Sequence, residues 1–248
     1  MMKSKLRAVV VAAAGILAIT TQAEAAPVTT PTGLNPGDTY RLAFITSVTR
    51  DATSANIADY NAFVSGVANA NTELAALGTT WTAIASTTTV DARDNTGTNP
   101  FTNGAGLPIY LLDGSTKIAD DNADLWDSSI DNPLNIDESG NTLNTLVWAG
   151  TVGSGSAAGG DLFGGPLGSV GFGGIEQGDS SATGVTWINI DDVPIDATGL
   201  FSMYALSGEL TVQSSTAISA PGSALAFGIV FAGLMLKRRC RLANVAED

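Results

Sequence analysis

Five aspartates lie close together in one short stretch of the chain: Asp120, Asp121, Asp124, Asp127 and Asp131. Two carboxyl groups can act as acid and base in glycoside hydrolysis when they flank the scissile bond. Carboxylate oxygens are also the ligands that Ca2+ prefers. A third interpretation is an acidic helix whose charges face solvent and suit the positive end of the helix dipole. The separation between the carboxyl groups, which the sequence does not give, decides among these.

The same run contains an incomplete calcium-loop pattern. Asp120, Asn122 and Asp124 match the D-x-N-x-D that opens an EF-hand loop. Leu125 occupies the sixth position, where the loop needs glycine, and Asp131 the twelfth, where a bidentate glutamate is usual. The pattern excludes an EF-hand and leaves an irregular calcium site, made of loop carboxylates and carbonyls, as an alternative. We predict no other cofactor.

Residues that most other catalytic sites need are missing. The 248 residues include no histidine and one cysteine, Cys240. A Ser-His-Asp triad, a Cys-His pair and a histidine-ligated metal site are therefore excluded. We expect a protein that is not an enzyme. The alternative is a glycan-acting hydrolase that uses paired carboxylates such as Asp124 and Asp127.

The charge of the chain between its two ends limits its partners. From Pro27 to Ala217 there are four basic and 21 acidic residues, a net charge of −17. Nucleic acid and anionic lipid both require basic contacts, so neither is an expected partner. This stretch of roughly 190 residues can bury a sizeable core as one domain. Without a thiol it forms no disulfide, so the core must stabilise it.

The first 25 residues have the three parts of a secretory signal peptide. A basic start is followed by an apolar core, Ala8–Ile19, and by the small residues Ala23 and Ala25 of a cleavage site. As a helix, this core would span only about 18 Å of a hydrocarbon layer roughly 30 Å thick. We therefore predict that signal peptidase removes residues 1–25.

Hydrophobic periodicity predicts a strand and a helix at the start of the domain. Residues 40–47 alternate apolar and polar side chains, as in a half-buried strand. Ile57, Tyr60, Val64 and their neighbours then recur at spacings of three and four, which predicts a helix from about residue 54 to residue 77. Gly78 is a suitable stop signal.

Short strands and long loops follow. Strands are predicted at residues 80–87, 107–112 and near Trp148, a short helix at 118–130, and two closing strands at 185–190 and 200–212. The pattern predicts one α+β domain, residues 27–213, with an antiparallel sheet, one long and one short helix and long loops. Tryptophans in strand-like runs, such as Trp81 and Trp148, are expected in the core rather than on a sugar-binding surface.

The C-terminal segment, residues 218–242, combines a Pro-Gly pair, an apolar stretch and a basic cluster. Pro221 and Gly222 precede residues 223–236, and the basic residues are Lys237, Arg238, Arg239 and Arg241. This order resembles the PEP-CTERM sorting signal of Gram-negative bacteria, although the Pro-Glu pair of its common form is absent. The resemblance implies transient insertion in the inner membrane, cleavage by an exosortase near Pro221 and export to the cell surface or the exopolysaccharide matrix. A retained inner-membrane anchor is the alternative.

The body of the chain is similar to a second group of proteins. Residues 79–151 contain a Trp-bearing strand, a Leu-Asp-Gly turn, a short helix and a final Val-Trp-x-Gly-Thr. This order resembles the endostatin-like, C-type-lectin-fold domains of bacterial surface proteins. The resemblance implies a C-type-lectin-like fold, but the Glu-Pro-Asn motif of calcium-dependent sugar binding is absent. We therefore predict a secreted surface or matrix protein that binds polysaccharide or acts structurally.

Overall fold

The computed structural model describes residues 26–159, 164–169, 174–190 and 195–214. The predicted signal peptide, with Ala23 and Ala25, lies outside these ranges. So does the predicted sorting segment, whose candidate residues are Pro221, Gly222, Lys237, Arg238, Arg239 and Arg241. The described residues up to Val212 belong to one compact unit. In the described ranges, no helix combines the length and apolar character needed to cross a membrane.

These residues form an α+β domain, as predicted. The strands are β1 (Thr39–Ile45), β2 (Trp81–Ala83), β3 (Ile109–Leu111), β4 (Lys117–Ala119), β5 (Leu146–Trp148), β6 (Gln177–Asp179), β7 (Ser202–Ser207) and β8 (Leu210–Thr211). The helices are α1 (Ile57–Ala70), α2 (Thr72–Ala76), α3 (Ala92–Asn95) and α4 (Asn122–Leu125), and Val185–Trp187 forms a 3-10 turn. Most of the chain between these elements is loop.

The sheet is mixed, so the predicted antiparallel sheet is wrong. Its order is β4-β3-β1-β7-β5-β6, with β2 also on β7 and β8 also on β1. The pairs β1/β3 and β5/β7 are parallel, and the others are antiparallel. A parallel pair needs a long crossover connection. The segments between β1 and β3 and between β5 and β7 provide that length, and no local pattern in the sequence shows where each crossover returns.

Strand β7 lies at the centre of the sheet, and every residue in it is buried. It pairs with β1 on one side and with β2 and β5 on the other. Phe44 of β1 packs edge-on against Trp81 of β2, with 5.0 Å between ring centroids. The indole N–H of Trp148 donates to the carbonyl oxygen of Arg50 at 3.0 Å. Both tryptophans are in the core, which confirms the prediction for them.

The single long helix of the prediction is divided in two at Asn71. The Asn71 side chain accepts hydrogen bonds from the N–H groups of Glu73 and Leu74, at 2.9 and 3.2 Å. This N-cap starts α2 in a new direction, because an N-cap residue has extended rather than helical backbone angles. The stop at Gly78 is confirmed: its φ is +60°, a conformation that glycine adopts readily.

Two further predicted elements differ from the structure. The helix predicted over 118–130 is only one turn, α4, because Ile118 belongs to β4. The strand predicted over 185–190 is wrong: the N–H of Trp187 donates to the carbonyl of Gly184, and the N–H of Ile188 to that of Val185. These local hydrogen bonds form a 3-10 turn instead of a sheet ladder.

Candidate functional site

The structure brings three of the five clustered aspartates together. Asp120, Asp124 and Asp131, called the acidic cluster below, each place a carboxylate oxygen within 4.8 Å of the other two. Asp121 caps α4 by accepting from the N–H groups of Ala123 and Asp124 at 2.8 and 3.0 Å. The cluster therefore forms where β4 passes into α4.

Main-chain hydrogen bonds hold this cluster in place. The Asp124 carboxylate accepts from the backbone N–H of Asp120 at 2.6 Å. The N–H of Asp131 donates to the carbonyl of Ile118 at 2.9 Å, which returns the chain from α4 to β4. The Lys117 amine forms an ion pair with Asp120. Any cation entering the cluster would compete with Lys117 for that carboxylate.

The pKa of Asp124 is raised above its ordinary value of 3.8. Loss of hydration is the main cause, and the charges of Asp127 and Asp121 add to it, while Lys117 opposes them. A raised pKa is the direction of shift that a general acid requires. Its proposed partner Asp127 is already engaged, since it accepts from both the N–H and the hydroxyl of Ser129.

Asn122 does not join the cluster, although the D-x-N-x-D pattern places it among the ligands. Its side chain is 2% exposed and donates to the carbonyl of Gly104 at 3.0 Å. Asp120 and Asp124 are brought together with Asp131 instead. The sequence pattern thus identifies all three carboxylates, at its first, fifth and twelfth positions, and assigns Asn122 to them wrongly.

A second feature, missed by sequence reasoning, is a groove along α1. It has a volume of about 550 Å³ and is called the α1 groove below. Its lining is apolar except at one end, and consists of Val48, Ala62, Phe63, Gly66, Val67, Ala70, Asn71, Glu138 and Ser139. Pockets with mostly apolar walls and a few polar groups are typical small-molecule sites.

The sequence of α1 explains the floor of the groove. Tyr60, Val64 and Ala68 recur every four residues and are buried against the sheet. The small residues Ala62, Gly66 and Ala70 have the same spacing on another face and are exposed. Such a row could be read from the sequence once the helix is known, whereas nothing local indicates which loops form the opposite wall.

Gly66 has no internal packing reason to be glycine. A Cβ atom at this position would find no atom within 4 Å. Glycine inside a helix costs roughly 0.5–1 kcal/mol relative to alanine. This glycine lies where the backbone of α1 is open to the groove.

Glu138 gives the groove its polar end. It is 8% exposed, and its carboxylate accepts from the N–H of Ser47 at 2.9 Å and from the Ser47 hydroxyl. Asn71 donates to the Glu138 carbonyl at 2.9 Å. Among the described residues, Glu138 has no cationic side chain as an ion-pair partner. Its charge is therefore balanced only by hydrogen bonds.

Arg50 supports the aromatic wall of the groove. Its guanidinium carbon lies 4.1 Å from the ring centroid of Tyr60 and 5.6 Å from that of Phe63. The guanidinium also donates to the carbonyl oxygens of Asp51 and Asp59. These contacts restrict the Phe63 ring, because a cation over an aromatic face is attracted to it.

No family model matches the chain, and no curated protein matches its sequence.

Proposed function

We propose that the chain is an exported, non-catalytic domain of the bacterial cell surface or extracellular matrix that binds neutral polysaccharide in the α1 groove. The observation that carries the binding part is the groove itself, with an exposed helix glycine, a restrained aromatic ring and a polar end. Export is inferred from the two ends of the sequence.

The lining of the groove suits a sugar chain. A pyranose ring has an apolar face that can lie on Phe63 and Val67, and hydroxyl groups along its edge. The side chains of Asn71, Glu138 and Ser139 at one end are groups that can exchange hydrogen bonds with hydroxyls. At Gly66 the ligand can approach the helix backbone without meeting a side chain.

Charge favours a neutral polymer. Glu138 lies in the groove, and the surrounding domain has a net charge of −17 between Pro27 and Ala217. An anionic polysaccharide would be repelled by this field. A neutral glycan is not repelled, and its hydroxyl groups can donate hydrogen bonds to carboxylates.

Binding is tested with the mature exported protein on immobilised neutral polysaccharides. Gly66→Leu places a side chain in the groove, and Gly184→Leu is its control, because Gly184 is exposed and has no atom within 4 Å of a Cβ position. We expect retention of the unchanged protein and of Gly184→Leu, and loss of retention for Gly66→Leu. Equal retention of both variants would reject the groove as the binding site.

The same samples test the hydrolase alternative. Release of reducing ends that disappears in Asp124→Asn or Asp127→Asn would support a carboxylate-based hydrolase. No release, with retention intact, supports the binding domain. Both aspartates lie outside the groove lining, so the two results are independent.

Export and processing are tested by mass spectrometry of the mature ends. We expect a new N-terminus after Ala25 and a C-terminus near Pro221, produced by signal peptidase and an exosortase. An exported product that still contains Cys240 would reject cleavage at the sorting segment. A chain retained with Cys240 in the inner membrane would support the anchored alternative.

A further inference from the structure

An Asn-Gly pair lies in the exposed loop between α3 and β3. Every residue from Phe101 to Gly106 is exposed, and Asn103-Gly104 is at the middle of this stretch. We infer that Asn103 is a site of spontaneous deamidation, in which the backbone nitrogen of Gly104 attacks the Asn103 side chain and a cyclic imide forms.

The attacking nitrogen is available. Among the described residues, the N–H of Gly104 has no hydrogen-bond acceptor. No atom lies within 4 Å of the position that a Cβ would occupy at Gly104, so the backbone has open space on this side. Glycine also has the widest choice of backbone angles for closing the ring.

The neighbouring hydroxyl assists the reaction. Thr102 donates a hydrogen bond from its hydroxyl to Oδ1 of Asn103 at 3.1 Å. When the Gly104 nitrogen adds to Cγ, negative charge develops on that oxygen. A donor already aimed at the developing charge lowers the barrier to the addition.

The atoms balance with water as the only co-reactant. The Gly104 nitrogen loses its proton and forms a bond to Cγ of Asn103, and the side-chain nitrogen accepts a proton and leaves as ammonia. Water then opens the imide at one of its two carbonyls. The products are aspartate, or isoaspartate in which the main chain runs through the former side chain.

A second pair of the same kind provides an internal control. In Asp113-Gly114 the aspartate is exposed but the glycine is buried, and the carboxylate accepts from the N–H groups of Ser115 and Thr116 and from the Thr116 hydroxyl. A Cβ at Gly114 would lie 2.6 Å from a methyl carbon of Val28, so the turn is tightly packed. A carboxylate is also a poorer electrophile than an amide. We expect no imide at Asp113.

The isoaspartate product has a structural consequence that aspartate lacks. It adds a methylene to the main chain directly before Gly104, whose carbonyl accepts from the buried side chain of Asn122. Asn122 is the first residue of α4. The inserted atom displaces this acceptor, so the isoaspartate form should be less stable than an Asn103→Asp variant.

The experiment follows the purified mature protein at mildly alkaline pH, with peptide mass mapping and isoaspartyl methyltransferase labelling at Asn103. We expect a gain of one mass unit and methyl labelling at this peptide, slowed severalfold by Thr102→Val, with Asp113 unchanged. A sample held in urea shows the rate without the fold. Conversion in urea but not in the folded protein would overturn the inference, and equal rates for Thr102→Val and the unchanged protein would overturn the role of the hydroxyl.

Discussion

The hydrogen bonds between Ser47 and Glu138 should couple two loops that are far apart in the chain. Ser47 donates its N–H and its hydroxyl to the two oxygens of the Glu138 carboxylate. A hydrogen bond to a charged group contributes roughly 1.5–3 kcal/mol. Ser47 is exposed, so water can replace its hydroxyl, and we expect Ser47→Ala to lower the free energy of unfolding by only about 1 kcal/mol.

Glu138→Ala should cost more, about 2–3 kcal/mol, because it leaves the Ser47 N–H without its acceptor and removes a mostly buried side chain. The double variant should cost less than the sum, with a coupling energy of about 1 kcal/mol. Urea unfolding of the four proteins, monitored by tryptophan fluorescence, measures these values. Unrelated sites add within about 0.3–0.5 kcal/mol, so a coupling no larger than that would refute the reasoning. A cycle of Ser47→Ala with Thr198→Ala, which share no partner, is the control.

Further outcomes can be measured with the same unfolding assay. Gly178→Ala should destabilise the domain by about 1–3 kcal/mol, because its Cβ would lie 2.2 Å from the carbonyl oxygen of Trp187, whereas Gly184→Ala should be tolerated. Burial acts to raise the pKa of Asp113, but hydrogen bonds to its carboxylate outweigh burial and lower it. Its stabilisation is therefore present above the ordinary value of 3.8 and lost as pH falls through the folded-state pKa; Asp113→Asn should remove this acid sensitivity. The raised pKa of Asp124 has the opposite effect on stability: its charged form costs stability above the folded-state pKa, and protonation relieves that cost as pH falls towards the ordinary value of 3.8. Asp124→Asn should therefore raise the melting temperature at neutral pH and remove the contribution of Asp124 to its pH dependence. A chelator should leave the melting temperature unchanged; an increase of several degrees with added Ca2+ would instead make the acidic cluster a calcium site.

Residues that act locally could be predicted from the sequence. The apolar residues before Ser47 predict β1, although residues 42–45 are all buried instead of alternating. Gly78 marks the end of the helical region, because a positive φ depends on the residue itself. The break at Asn71 was available in principle as an N-cap signal, but the apolar spacing continues across it and favours one helix. Local information of this kind determines the class of the fold.

Partners across the sheet and across the groove could not be predicted. Phe44 of β1 faces Ala205 of β7, more than 150 residues later, and only the assembled sheet brings them together. Glu138 reaches Ser47 across 91 residues and from a loop with no periodic pattern. Both contacts depend on where the long connections return the chain to the sheet. That is a property of the whole chain rather than of a short window of sequence.

Part of the acidity of the domain comes from aspartates that form turns in its loops. Among the described residues, four aspartates each accept, through one carboxylate oxygen, both the N–H and the hydroxyl of the serine or threonine two residues later: Asp51, Asp127, Asp179 and Asp196. Loop N–H groups need acceptors, and an aspartate turn supplies one without sheet or helix.

These turns change how the net charge should be interpreted. Hydrogen bonds from Thr53 lower the pKa of Asp51, and those from Thr198 lower the pKa of Asp196, so both carboxylates are stabilised in the charged form by their own turns. A domain with long loops and no disulfide gains local order from each such turn. Part of its negative charge is therefore structural and requires no basic or metallic partner. A search for ligands should accordingly begin at the α1 groove, which combines apolar walls with a polar end, rather than at the most acidic segment.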